Sequence, residues 1–295
     1  VIVNEFLDTA AKLSVLAFVV TSMAAAGLGL TVAAVAAPLR RGRLVAGALV
    51  ANFVIAPAVA YGLTRVVPLA EPYAAGLILL GGAAGAPFLP RLAAAARGDV
   101  AFSVGLMLLL MVGSVAFMPV ALPLLIPGLE ADPWALLRPL LLTMLLPIAA
   151  GMALRHWAPA WAAGVRPAVE RVSTVSMAAA LLLLIGLNAG PMLGTFGSGA
   201  ALTAVAFVAL STAAGYALGG PARETRSVLG VGTGQRNVAA ALVVATQNFT
   251  DPGVVVMLLV ATIAGLVPLL TAARVWARPV RVRPAAAPAT AGVTR

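Results

Sequence analysis

Residues 227–238 read Ser227-Val228-Leu229-Gly230-Val231-Gly232-Thr233-Gly234-Gln235-Arg236-Asn237-Val238. The run around them is apolar and long enough to cross a bilayer, for which about 20 residues are needed. Three alternate glycines and one arginine interrupt it near its middle. Glycine weakens a helix interior, and an arginine at the centre of a membrane costs at least about 2.5 kcal/mol. A helix broken at that depth leaves backbone N–H and C=O groups unpaired, which is tolerated only where the break is buried in protein or lines a cavity. A second such stretch lies about half a chain earlier: Gly81-Gly82-Ala83-Ala84-Gly85-Ala86-Pro87, then Pro90. Each is followed by an aspartate at the head of the next apolar run, Asp99 and Asp251.

Composition sets the same frame. Of the 295 residues, 62% are hydrophobic and 9% are charged, whereas charged residues make up about a quarter of an ordinary soluble domain. The spacing predicts nine spanning segments, at roughly 14–36, 44–66, 73–95, 99–126, 136–155, 172–190, 199–219, 227–248 and 253–276. The expected fold class is an all-α polytopic membrane protein. Its expected parts are an extracytoplasmic segment 1–13, a transmembrane domain 14–278 and a disordered, Pro/Ala-rich cytoplasmic tail 279–295. Cysteine is absent and histidine occurs once, which leaves disulfides, thiolate metal sites and thiol catalysis out. An enzyme is not expected: His156 sits at the end of a span, no acid pair lies at depth, and no Gly-x-x-x-x-Gly-Lys-Ser/Thr phosphate loop is present. The chain begins with Val1 instead of methionine, and its N-terminal completeness is left open.

The net charge of +10 is explained by topology without nucleic acid. Alternate loops and the tail hold Arg40, Arg41, Arg43, Arg91, Arg97, Arg155, Arg166, Arg171, Arg223, Arg226, Arg274, Arg278, Arg281, Arg283 and Arg295, while the opposite side holds Lys12, Arg65 and Arg138. The positive-inside rule makes the first side cytoplasmic, with the N-terminus outside and the C-terminus inside. The Ala/Arg-rich, Lys-poor composition suggests a bacterial inner membrane. The four tryptophans (134, 157, 161 and 276) fall at span ends, where indole rings anchor at headgroups.

Spans one to four (about 14–126) match spans six to nine within the second half (about 136–276). Their offset is odd, so the copies run in opposite directions. Inverted repeats with paired broken helices point to a transporter whose site lies near the midplane. Arg236 is the one charge placed within the hydrocarbon, and all nine carboxylates fall in termini, loops or span ends. Two readings of Arg236 stay open. Its guanidinium pairs with an anionic substrate or belongs to the gate, or it is tied to backbone carbonyls across the crossing helices. Thr233, Gln235 and Asn237 add polar groups at that level, with Asn52 and Ser103 as weaker candidates.

The sequence resembles the bile acid:sodium symporter family over nearly its whole length. That family carries Glu-Thr-Gly-x-Gln-Asn at its second broken helix, where this chain has Gly232-Thr233-Gly234-Gln235-Arg236-Asn237. Its first broken helix has Gly-Gly, then Ser-Asn, then Ala-Arg-Gly-Asp/Asn-Val-Ala-x-Ser. The counterparts here are Gly81-Gly82, Gly85-Ala86 and Ala96-Arg97-Gly98-Asp99-Val100-Ala101-Phe102-Ser103. Gly27-Leu28-Gly29-Leu30-Thr31 fits an early helix of the family. The resemblance implies a panel domain and a core domain on a ten-helix plan, here without the first helix. It also implies departures at the sodium ligands. Gly232 replaces Glu, Arg236 replaces Gln, Gly85-Ala86 replaces Ser-Asn, and Met107 replaces Thr, so Ser103 alone keeps a side-chain oxygen. No cofactor is expected, and sodium coupling is expected to be weakened or absent. The expected function is secondary transport of a small organic anion by alternating access. The expected substrate-binding residues are Arg236, Gln235, Asn237, Thr233, Gly232, Gly234, Gly85, Ala86, Pro87 and Ser103. The alternatives are a sodium symporter with a rebuilt ion site, and a non-transporting membrane receptor or scaffold.

Overall fold

The structure, a computed structural model, describes residues 2–126, 129, 132–195 and 197–278. The expected tail at 279–295 lies outside the described residues. Among the described residues, eight helical stretches are long and apolar enough to cross a membrane, the interrupted stretch Arg223–Asn248 counted as one. The chain is α1 (Ile2–Gly29), α2 (Val32–Leu39), α3 (Gly42–Val66), α4 (Glu71–Gly82), α5 (Leu89–Ala95), α6 (Val100–Leu125), α7 (Pro133–Trp157), α8 (Pro159–Leu187), α9 (Ala189–Gly194), α10 (Ala200–Leu218), α11 (Arg223–Gly234), α12 (Val238–Asn248) and α13 (Pro252–Ala277). Helices dominate because each satisfies its own backbone, which lipid cannot do. Large aliphatic side chains such as Leu124, Leu182 and Leu202 point outward and are largely exposed, as a lipid-facing surface requires.

The expected third segment is two short helices, α4 and α5, separated by residues 83–88. The eighth is α11 and α12, separated at 235–237. Both breaks are followed by a long helix with an aspartate N-cap: the Asp99 side chain accepts from Phe102 N, and that of Asp251 from Gly253 N. The helix–break–helix–Asp–helix pattern therefore occurs twice. Three expected boundaries move, the first being the end of segment 14–36, where the helix stops at Gly29 and residues 32–39 form the separate α2. Helix α1 begins at Ile2, well before 14, because residues 2–13 continue its turns with an Asp8–Lys12 ion pair at 2.7 Å. Helix α8 likewise begins at Pro159 instead of 172, through an Arg166–Glu170 pair at 2.8 Å. Charged residues at these ends sit on helix surfaces as i,i+4 pairs, which a hydropathy run does not register.

The helices form two groups. Helices α1, α7 and α8 pack on one another. Helices α3–α6 and α10–α13 form the other group, with α4 crossing α13 and α10 lying along α11 and α13. Helix α12 touches α1 and α7, and so joins the groups. Apolar burial drives little association in lipid, so close approach of small residues carries it. Gly27 and Gly151 show this: a Cβ on Gly151 would come within 2.6 Å of Ala24 O and 2.8 Å of Leu28 N.

Two π-helical turns, Ala51–Ile55 in α3 and Leu141–Leu145 in α7, share one cause. Each precedes a proline, Pro57 or Pro147. Proline lacks an N–H and crowds the carbonyl four residues back, and a wider turn absorbs the mismatch. Three tryptophans are exposed at helix ends, as expected. Trp276 departs from them: it is half-buried and stacked on Tyr216, with centroids 4.4 Å apart, because Gly230 leaves room beneath its ring.

Replacing Gly151 with Val should separate α1 from α7 and cost about 1–3 kcal/mol through overpacking. A fall in the thermal midpoint of purified protein in detergent, with no such fall for Gly164→Ala, where a Cβ meets nothing, checks this.

Candidate functional site

The two breaks face each other. Helix α4 ends at Gly82 because Gly81 and Gly82 weaken it, and Gly85 then turns with φ +78°. L-residues rarely adopt that conformation. Ending a helix leaves its last carbonyls without N–H partners. Here Ala83 N donates to Leu80 O at 3.1 Å, and the second break supplies the other donors. Arg236 Nε donates to Leu80 O at 3.1 Å, and Nη2 donates to Gly81 O. Asn237 N donates to Ala83 O at 2.9 Å, and its Nδ2 to Gly85 O at 3.1 Å. The Asn237 Oδ1 meanwhile caps α12 by accepting from Ala240 N.

The remaining donors of Arg236 are also taken. Nη1 donates to Asn52 Oδ1 at 2.8 Å and to Thr233 O at 3.3 Å, and Nη2 reaches Asn52 O at 3.5 Å. That last carbonyl is free for a reason written in the sequence. In the π turn, Ala56 N is taken by Ala51 O, and the next residue, Pro57, has no N–H to offer Asn52. Asn52 Nδ2 in turn donates to Ala48 O and, at 3.1 Å, to Thr233 Oγ1. Arg236 is 5% exposed, so its five N–H donors meet protein acceptors almost out of reach of solvent. The second reading of Arg236, a guanidinium tied to carbonyls across the crossing, describes this geometry. The partial negative charge at the C-terminus of α4 adds to it.

The other sequence candidates divide. Thr233 and Asn237 join the Arg236 network. Gly234 stands against Thr212, whose Oγ1 a Cβ would overlap, and Gly85 stands against α6, where a Cβ would lie 2.8 Å from Met107 O. Ala86 is buried and Pro87 half-buried in the first break. At Gly232 a Cβ would meet Leu89 Cδ1 and Cδ2 at 3.3 Å and Leu106 at 3.8 Å, so the surroundings are apolar. Ser103 donates to Val100 O at 2.6 Å, the usual bond of a helical serine to its own backbone, and it makes no bond to the Arg236 network. Gln235 differs from its neighbours: its Oε1 is buried without a partner, and its side chain bonds to no described residue. Ser211 and Thr212 also keep unpartnered buried hydroxyls.

Two contributors stand out less in the sequence. Asn52 anchors Arg236, and the signal for it was the Asn-x-x-x-x-Pro spacing within an apolar run. Ser114 of α6 stitches the first break, its Oγ accepting from Ala84 N at 2.7 Å and donating to Ala84 O at 3.1 Å. A lone serine in a long apolar helix carries little signal, since most such hydroxyls bond within their own helix.

Asn52→Ala removes one acceptor from a buried guanidinium and orphans Thr233 Oγ1. Hydrogen bonds to charged groups are worth about 1.5–3 kcal/mol, so the variant should lose about that much stability, read as a lower thermal midpoint. Ser103→Ala should be near neutral by the same measurement.

No match was found among curated proteins. The family model of the sodium bile acid symporters matches residues 15–195, a stretch that takes in the first break and stops before the second. The matched stretch covers more than half of the chain, and its helices include the first broken pair facing Arg236. The chain belongs to the sodium bile acid symporter family.

Proposed function

We propose that the protein is a secondary transporter of a small organic anion, working by alternating access, in which Arg236 supplies permanently the positive charge that bound sodium supplies in relatives. One observation carries this reading: the guanidinium lies inside a shell of five oxygens, namely Leu80 O, Gly81 O, Thr233 O and both oxygens of Asn52. Such a shell of carbonyl and amide oxygens is what a hard cation requires, and here a covalently attached cation fills it.

The positions matched to sodium ligands support the same view. Gly232 and Met107 offer no side-chain oxygen, Leu89 and Leu106 crowd the space beside Gly232, and the hydroxyl of Ser103 is turned to Val100. The side chains at these positions do not supply the oxygens that a sodium ion requires.

In this reading Arg236 holds the two breaks together and sets a positive potential at the crossing, undiminished by any carboxylate at its level. Its N–H donors are occupied, so it attracts the anion through its field and not through bidentate contact. Direct contact falls to the amide Nε2–H of Gln235, whose side chain bonds to no described residue. Helices α3–α6 and α10–α13 then move as a body against α1, α7 and α8, with α12 at the interface. We place the arginine-rich loops in the cytoplasm, with the N-terminus outside, in a bacterial inner membrane.

The test is uptake of organic anions (bile acids, steroid sulfates, keto acids) into proteoliposomes, with sodium replaced by potassium. Uptake should survive the swap within about twofold. Gln235→Ala should raise KM about tenfold, the equivalent of one lost hydrogen bond of about 1.4 kcal/mol. Uptake that vanishes without sodium contradicts the proposal.

A further inference from the structure

A second polar pocket lies away from the crossing, wholly within the group of α1, α7 and α8. It encloses about 420 Å³ and is lined by Gly29 at the end of α1, Arg155 near the end of α7, and Arg166, Pro167 and Glu170 of α8. Its two guanidiniums are each positioned by a bond that leaves most donors free. Arg166 Nε donates to Glu170 Oε1 at 2.8 Å, and Arg155 Nη1 donates to Pro159 O at 3.3 Å. The terminal nitrogens of Arg166 and the Nη2 of Arg155 meet no acceptor among the described residues.

Gly29 shapes the pocket. A Cβ there would come within 2.7 Å of Arg166 Nη1 and 2.8 Å of its Cζ, so the guanidinium rests close against α1 at a position that carries no side chain. The pocket thus holds two cations and one carboxylate. Its level in the membrane is marked by Trp157 and Trp161, 80% and 74% exposed on the adjoining helix ends, because exposed indoles at helix ends sit among headgroups.

We propose that this pocket binds the headgroup of an aminophospholipid. The phosphodiester sits between Arg155 and Arg166, whose planar forks suit phosphate oxygens. Glu170 Oε2, which accepts no hydrogen bond among the described residues, receives the headgroup ammonium. Each charge of the headgroup meets an opposite charge, the phosphate two guanidiniums and the ammonium one carboxylate, and the filled site keeps a single positive charge. A basic pocket between helices at headgroup depth is a recognised form of lipid site. Because α1, α7 and α8 all contribute to it or pack around it, the lipid clamps this group and leaves the Arg236 crossing untouched. The inference is independent of the transport reading.

The experiment uses purified full-length protein in detergent and follows the thermal midpoint while lipid is titrated. A ligand bound only by the folded state raises the midpoint in a saturable way. Phosphatidylethanolamine should do so, and phosphatidylcholine, whose quaternary ammonium has no N–H to donate, should bind about tenfold more weakly. Glu170→Gln should abolish that preference while retaining saturable stabilisation by both lipids. Arg155→Gln should weaken both lipids about tenfold, and it leaves the Arg166–Glu170 pair in place, so folding is kept. Equal stabilisation by both lipids in the unmodified protein would overturn the proposal. So would a response unchanged by Arg155→Gln, or the same rise produced by inorganic phosphate at equal concentration, which would make this a free-anion site.

Discussion

A helix that stops inside a membrane must find donors for its last carbonyls, and in this protein one arginine side chain finds them. The carbonyl of Gly81, left open where α4 ends, and that of Leu80, which also accepts from Ala83 N, take the guanidinium of Arg236 from the opposite break. The two liabilities cancel: unpaired carbonyls in lipid and an unpaired charge in lipid are each costly, and together they make a buried, charge-assisted network. Asn52 and Thr233 complete it, and Asn237 sews the adjoining backbone to Ala83 and Gly85. The rest of the larger helix group is arranged around this crossing, with the aspartate-capped helices α6 and α13 flanking it.

That arrangement bears on how such a transporter moves. A network satisfied by a bound ion assembles and disassembles with the ion. A network satisfied by a side chain is always assembled, so the crossing stays rigid with or without an ion in solution. In the proposed reading, rigidity of the crossing and coupling to a bound ion are separable properties, and the tethered guanidinium supplies the first on its own. The apolar surroundings of Gly232 agree with this. Leu89 occupies the neighbourhood in which a carboxylate on that position would need polar company, and a buried carboxylate without such company is strongly disfavoured.

Much of this was legible in the sequence. Paired glycine runs, the aspartates after them and the single charge at depth are local features, and each has one dominant physical consequence. The parts that were not legible depend on which side chains meet across helices. Asn52 read as a weak candidate because its role needs the π turn, and that turn follows from Pro57 only once the bonding of Ala56 N is known. Ser114 carries no signal of its own in the sequence, because its bonds to the break exist only with α6 placed against it. The start of α1 was misplaced because Asp8 and Lys12 interrupt a hydropathy run without interrupting a helix. Whether Arg236 meets a ligand or the backbone was a question of geometry, since either partner satisfies a guanidinium equally well.

The central claim is that a tethered cation fills the shell a coupling ion would occupy, and ion-dependent stability tests it most directly. The thermal midpoint of the purified protein is measured while sodium chloride replaces choline chloride at constant ionic strength, in the unmodified protein and in Arg236→Gln. The account predicts no saturable sodium effect in the unmodified protein, because its oxygens are already taken. A saturable rise in midpoint with sodium in the unmodified protein, of the kind a specifically bound ion produces, would contradict it.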